Sequence, residues 1–319
     1  MKTKKLILGV TFLFIAGSLA LTSCRKREKT EEKPPDNEQT TANDNANTEN
    51  ISNDIVSIGS ELSETGTLTQ YKSSDNAGLT GILSIASCAT VTGVAGLTFT
   101  VDFGTTGCEG LDKRIRKGKL IFDRSGSNPI TSINYRNPGY KMVITSQGYI
   151  VDDNLVSVNG KTVTNTTSNS IGSGTPTIGS VNLTWNIKSN ITVTKSDGGI
   201  INWTCDRTKE LTNTNVAADN CYHGQTLAID WSKAKIKLNG SASGTNTKGE
   251  AYTAVATNLV RDFNCTPSAL QPKRHPFISG TIEYKPGTRA TRLFDYGSGG
   301  CDFNATVTIN GVTYAITLP

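Results

Sequence analysis

From about residue 81 to the end of the chain, apolar side chains recur at every second position, and a period of two is the geometry of a half-buried strand. Leu97, Phe99, Val101 and Phe103 alternate with Thr98, Thr100 and Asp102. Leu183, Trp185 and Ile187 alternate with Asn182, Thr184 and Asn186. Val307 and Ile309 lead into Asn310-Gly311, after which Val312, Tyr314, Ile316 and Leu318 resume the alternation. Asn-Gly suits a two-residue hairpin loop because both central residues tolerate φ > 0. The spacing predicts pairing of Ile309 with Val312 and of Val307 with Tyr314, with all four on one face. Asn159-Gly160 and Asn239-Gly240 carry the same turn signal, and Asp197-Gly198-Gly199 divides Ile191/Val193 from Ile200/Trp203. Residues 165–180 are too rich in Gly, Ser, Thr and Asn for a core strand and read as a long loop or weak edge. The positions between the apolar ones are rich in Thr and Ser, so one face is packed and the other wet. The expected class is all-β over 81–319: a large antiparallel sandwich, or an open twisted sheet partly closed into a barrel.

The chain before this body falls into three parts. Lys2, Lys4 and Lys5 precede an apolar run over 6–21, too short to span a bilayer and shaped like a secretory signal. Residues 24–50 contain no aromatic residue and are rich in Glu, Lys, Asn and Thr. That composition predicts a disordered tether. Ile51, Ile55, Ile58 and Leu62 recur at steps of 4, 3 and 4, which predicts a short amphipathic helix over 51–66 that docks on the sheet. Gly59 weakens that helix and Gly66 offers a stop. The run Leu21-Thr22-Ser23-Cys24 resembles the lipobox of bacterial lipoproteins. That resemblance implies cleavage after residue 23 and lipidation of Cys24 by diacylglycerol and an N-acyl chain such as palmitate, an anchor of more than one chain.

The chain has 32 basic and 27 acidic residues, yet removal of the signal and of 24–33 leaves 24 of each. The body is electrically balanced, which excludes the broad basic footprint of a nucleic-acid binder. Besides Cys24 there are six cysteines, Cys88, Cys108, Cys205, Cys221, Cys265 and Cys301, an even number that suggests disulfides in an exported chain. With no Cys-x-x-Cys and two His, a zinc site is not expected. Two stretches share one pattern: Asp102-Phe103-Gly104-Thr105-Thr106-Gly107-Cys108 and Asp295-Tyr296-Gly297-Ser298-Gly299-Gly300-Cys301. Each ends an alternating strand and has another Cys upstream. The pattern suggests a cysteine-closed turn in preference to a calcium loop, which needs six to eight oxygens. Among 15 possible pairings, sequence proximity suggests Cys88–Cys108, Cys205–Cys221 and Cys265–Cys301.

The order of these features resembles a group of uncharacterised lipoproteins of Bacteroidota. The residues that carry the resemblance are the lipobox, the short acidic helix, the Asp102–Cys108 stretch followed by Arg116-Lys117-Gly118-Lys119, the 240–246 run, and Asp295-Tyr296-Gly297…Cys301-Asp302…Ala305-Thr306-Val307-Thr308-Ile309-Asn310-Gly311. The resemblance covers about 50–319 and implies class and location without any activity.

No catalytic signature stands out. His223 and His275 are the only imidazoles, and the Gly172-Ser173-Gly174 run lacks the flanks of a nucleophile elbow. Asp152, Asp153, Asp206, Asp230, Glu250 and Glu283 are the carboxylates a glycosidase would draw on. Trp203 and Trp231, beside Asn202 and Asp230, are the residues able to form a sugar-stacking platform. Lys113, Arg114, Arg116, Lys117 and Lys119 make a basic cluster suited to an anionic partner. The expected role is that of a non-enzymatic envelope lipoprotein, held to the membrane at Cys24, that binds a glycan or protein or has a structural role. A polysaccharide- or peptide-acting hydrolase and a carrier of an apolar ligand are the alternatives. No cofactor is expected. Arg25-Lys26-Arg27 after the cysteine favours the periplasmic leaflet of the outer membrane over the cell surface.

Overall fold

A computed structural model describes residues 40–65, 88–110, 113–167, 183–212, 234–262, 264–265 and 276–317. The chain from Asp36 onward forms one compact unit. Its helix α1 spans Thr40–Thr65. The strands are β1 (Thr90–Thr92), β2 (Thr98–Asp102), β3 (Cys108–Glu109), β4 (Ile115–Asp123), β5 (Lys141–Val151), β6 (Asn154–Asn165) and β7 (Leu183–Thr194). They continue as β8 (Ile200–Thr212), β9 (Lys235–Thr245), β10 (Ala251–Asp262), β11 (Phe277–Pro286), β12 (Arg292–Ser298), β13 (Asn304–Ile309) and β14 (Val312–Thr317). All fourteen belong to one open antiparallel sheet in nearly sequential order, with β3 set aside on β4. The all-β expectation holds in its open-sheet form; among the described residues no second sheet makes a sandwich.

Alternation decides which face is inside. In β7, Leu183, Trp185, Ile187, Ser189, Ile191 and Val193 are buried, and the residues between them meet solvent or lie half-buried. The closing hairpin has the expected register, Val307↔Tyr314 and Ile309↔Val312, across Asn310 and Gly311 at φ 51° and 78°. Asp197-Gly198-Gly199 likewise turns β7 into β8, with Val193 opposite Ile201. Asp152 and Asp153, both at positive φ, turn β5 into β6.

Asn159-Gly160 and Asn239-Gly240 are not turns. They lie inside β6 and β9, at shifts in the strand register. Comparable shifts fall at Gly118 in β4, Asn258 in β10 and Gly280 in β11, each at positive φ. An extra residue bends a strand and increases its twist. These breaks lie in β4–β6 and β9–β11, on either side of β7 and β8, whose mutual register is unbroken, and a sheet bent in this way turns its inner face into a trough. Gly240 also sits against the neighbouring strand, where a Cβ would lie 2.3 Å from the Asp206 carbonyl oxygen.

The trough holds α1. The helix begins at Thr40, not at residue 51, so residues 40–50 are ordered helix and not tether. Ile51, Ile55, Ile58 and Leu62 are fully buried, as their spacing predicts. Over residues 40–50 the buried surface is polar apart from Ala42: Thr41, Asp44, Asn45, Thr48 and Glu49. Asn43, Asn47, Asn50, Asn53, Ser57 and Ser60 form the remaining stripe, exposed or half-buried. Gly59 lets the helix touch the sheet, since a Cβ there would meet the Phe122 ring at 2.6 Å and Met142 Cε at 2.8 Å.

Candidate functional site

The inner face of the sheet, where a ligand would sit in a carrier or a curved-sheet enzyme, is occupied by α1 and bonded to it along its length. Near the helix start, Asp44 accepts hydrogen bonds from Thr247 N at 2.8 Å and Thr247 Oγ1 at 2.7 Å, and Asn246 Nδ2 donates to Thr41 Oγ1 at 2.9 Å. One turn on, Asn45 donates to the Tyr284 hydroxyl at 3.0 Å and accepts from Trp203 Nε1 at 2.9 Å. Glu49 receives Arg207 Nη2 at 3.1 Å, and the Arg207 Nε lies 3.1 Å from its other oxygen.

Midway, Asp54 grips Arg116 with both oxygens, Oδ1 to Nη2 at 2.6 Å and Oδ2 to Nε at 3.1 Å. Arg114 and the Tyr149 hydroxyl approach the same carboxylate at 3.8 and 3.4 Å. Burial holds the Tyr149 hydroxyl well above its ordinary pKa. Near the helix end, burial pushes the Glu61 carboxyl well up, against the pull of Arg116, and Ser63 Oγ lies 2.8 Å from the Tyr140 hydroxyl.

Lys161 is the buried cation with the least ordinary surroundings. It is fully buried, and its Nζ donates to Ser52 Oγ on the helix and Ser189 Oγ on β7, both at 2.5 Å. Burial pushes the ammonium down to about 8, with Cys205 and Glu49 pulling the other way. Cys205, directly opposite Ser189 across β7 and β8, has its thiol pushed up by burial. An amine of lowered pKa beside a serine hydroxyl is one way to activate a nucleophile. Here the group has no solvent-exposed surface to admit a substrate.

Two of the three expected bridges are present, Cys88–Cys108 and Cys265–Cys301. Cys205 is a free buried thiol, which differs from the expected Cys205–Cys221 bridge. Its side chain lies on the filled inner face in alternation with Trp203 and Arg207; Cys221 lies outside the described residues. The repeated Asp-aromatic-Gly element is structural in both copies. Asp102 Oδ1 accepts from Gly104 N at 2.9 Å and Asp295 Oδ1 from Gly297 N at 2.8 Å, so each carboxylate closes its own turn.

Trp203 is no sugar platform. It is buried, and its N–H is engaged by Asn45. Trp185, also buried, stacks on Tyr135 at 4.5 Å between ring centroids. Trp231, His223, His275, Asp230, Cys24 and residues 165–180 beyond Thr167 lie outside the described residues. Of the remaining carboxylates, Asp152 bonds Arg114 Nε at 2.7 Å and Glu250 bonds Arg289 Nη2 at 2.6 Å. Asp206 faces solvent beside Asn186. Among the described residues, no group of three or more His, Cys, Asp and Glu is placed to hold a metal. The basic cluster divides by face: Arg116 is buried on Asp54, while Lys113 and Lys119 pair on the surface with Glu109 and Asp102, both at 2.8 Å.

No family model, curated protein or solved structure matches this chain. Its own geometry therefore has to point to a site, and it does so at an edge of the sheet. Among the described residues, β14 is the last strand in the order and pairs only with β13. It reads Val-Thr-Tyr-Ala-Ile-Thr, with no charge, proline or bulge to block further pairing. Val307 and Ile309 of β13 are buried, but Val312 and Tyr314 opposite them are 53% and 36% exposed. The apolar inner face thus runs past the last covered strand and ends in the open.

Proposed function

We propose that this chain is a non-enzymatic envelope lipoprotein, anchored through Cys24, that binds an extended segment of a protein partner along β14. The single observation that carries the reading is the uncharged, open β14 edge with Val312 and Tyr314 uncovered. Strand addition takes affinity from main-chain hydrogen bonds and specificity from alternate side chains, and β14 offers both. The filled trough weighs against an apolar cargo, and the engaged Trp203 weighs against a glycan on that ring. The lipobox and the resemblance of the sequence to Bacteroidota lipoproteins support an anchor in the cell envelope, with the periplasmic leaflet of the outer membrane as the working location.

The test is a photo-reactive phenylalanine analogue in place of Tyr314 in the full chain in cells, with one in place of the outer-face Thr204 as control. A single defined protein adduct at position 314, absent at 204 and abolished by Val312→Lys, is the expected result. Equal labelling at the two positions, no adduct at 314, or an adduct indifferent to Val312→Lys would overturn it.

A further inference from the structure

Five of the eight exposed large aliphatic side chains among the described residues lie at one rim of the sheet; Leu97, Ile130 and Val255 lie elsewhere. Ile115, Ile200 and Val312 are the first residues of β4, β8 and β14, and Leu155 and Leu293 the second residues of β6 and β12. All five are between 39% and 53% exposed. Neighbours along the sheet are antiparallel throughout, so these alternate strands run the same way and start at the same rim. By register, Leu155 stands beside the half-buried Ile150 and, across Thr194, in line with Ile200. This forms an outward-facing apolar row, flanked by Lys117 opposite Ile150.

The helix starts at this rim too. Thr41 and Asp44 are held by Asn246 and Thr247, in the turn that leads into β10 at the same end. Lys195, in the β7–β8 turn, lies 3.9 Å from Asp44. The chain that precedes Thr40 therefore leaves from the rim that carries the apolar residues. Cys24 is sixteen residues before Thr40. At ~3.3–3.6 Å per residue, sixteen residues can reach at most about 58 Å, so the covalent link keeps Thr40 within that distance of Cys24. A covalent link of sixteen residues keeps the rim near the bilayer, so a weak surface affinity suffices.

We infer that this rim is the membrane-facing end of the protein, with Ile115, Leu155 and Ile200 seated in the interfacial layer of the phospholipid bilayer that holds Cys24. Lys117, Lys195 and Lys248 lie at the same end to meet lipid phosphates, and Asp153 and Asp197 keep the rim near neutrality. The inference rests on the anchor reading above. It also orients the sheet upright, with the 124–140 connection at the far end. Ile130 in that connection is 48% exposed and serves as a matched control.

The full chain, purified from membranes, is reconstituted in vesicles of phosphatidylethanolamine and phosphatidylglycerol. An environment-sensitive fluorophore is placed at Ile200→Cys, Leu155→Cys or Ile130→Cys in a Cys221→Ser background; Cys205 is buried. Intact mass is measured first, to establish whether Cys24 carries acyl groups. The expected result is a blue shift and quenching by brominated lipid at positions 200 and 155, and a water-like spectrum at 130. In a lipidated sample, water-like spectra at all three positions, or equal quenching at all three, would sink the rim and leave the anchor standing. Should the mass show no lipid, the same probes are read at millimolar vesicle concentration. A selective shift there retains the rim without the anchor, and its absence removes both.

Discussion

Single residues in this protein carry opposite meanings in sequence and in structure. Gly59 weakens a helix by propensity, and in a solvent-facing helix its replacement by alanine would stabilise by about 1 kcal/mol. Here the Cβ would fall 2.6 Å from the Phe122 ring and 2.8 Å from Met142 Cε, two fully buried side chains of β4 and β5. Packing wins over propensity, because a ring in a filled core cannot retreat without strain of roughly 1–3 kcal/mol. Gly59→Ala should therefore lower stability in urea denaturation followed by tryptophan fluorescence; an increase would mean that the helix stands further from the sheet than described. Asn159-Gly160 and Asn239-Gly240 show the same ambiguity. Asn-Gly announces φ > 0, and a hairpin turn and a bulge both need it. In β6 the alternation steps by one residue at Asn159-Gly160, from buried Val158 to buried Lys161, whereas in β9 it runs on from Leu238 to Ala242. Trp203 was legible as a strand residue, and its burial follows from its place between Ile201 and Cys205 on the inner face.

At the scale of the element, α1 explains what periodicity can and cannot find. Its second half is legible because Ile51, Ile55, Ile58 and Leu62 make an apolar stripe. Residues 40–50 are hidden because their buried face, apart from Ala42, is Thr41, Asp44, Asn45, Thr48 and Glu49, the composition of a solvated segment. Those residues are ordered by the groups they meet on distant strands, such as Trp203, Arg207, Thr247 and Tyr284, and nothing local announces those partners. The helix is held by matched polar groups, so its attachment should fail group by group. Asp54 is the clearest case, because Arg116 beneath it has no exposed surface. Asp54→Ala leaves that cation facing an empty place and should cost about 3–5 kcal/mol. Adding Arg116→Met removes the stranded charge and should recover most of the loss, since an apolar pair of similar volume often matches a buried ion pair. Urea midpoints of the two single variants and the double variant check this. A double variant as unstable as Asp54→Ala would show that the pair is not what joins helix to sheet here.

At the scale of the whole molecule, the fold is a sheet bent around a helix. The sequence reading reached the sheet, the closing hairpin and two of the disulfides through local patterns: alternation, Asn310-Gly311 and the repeated Asp-aromatic-Gly turn. The trough was out of reach, because it arises from breaks in the strands on either side of β7 and β8. Its consequence is a buried interior with charged groups in it, and pH tests that interior. Lys161 sits under the helix with its ammonium pushed down to about 8, from an ordinary value near 10.4 when unfolded. Between those values the unfolded chain holds a proton that the folded chain has released. Stability then rises with pH across that window, and below about 8 the protonated amine is a standing cost. Lys209, also pushed down to about 8 by burial, acts in the same direction. Two kinds of group oppose them: the Cys205 thiol and the hydroxyls of Tyr149 and Tyr284, all held up by burial, favour the unfolded chain once it loses those protons at high pH. The readable quantity is therefore the difference between the wild type and Lys161→Met, in which the opposing groups largely cancel. That difference in unfolding free energy should move in favour of the wild type by up to ~3 kcal/mol between pH 7 and 10.5, most of it above pH 8. A difference constant over that range would mean that Lys161 is solvated in the folded protein, and that the helix does not seal the trough over it.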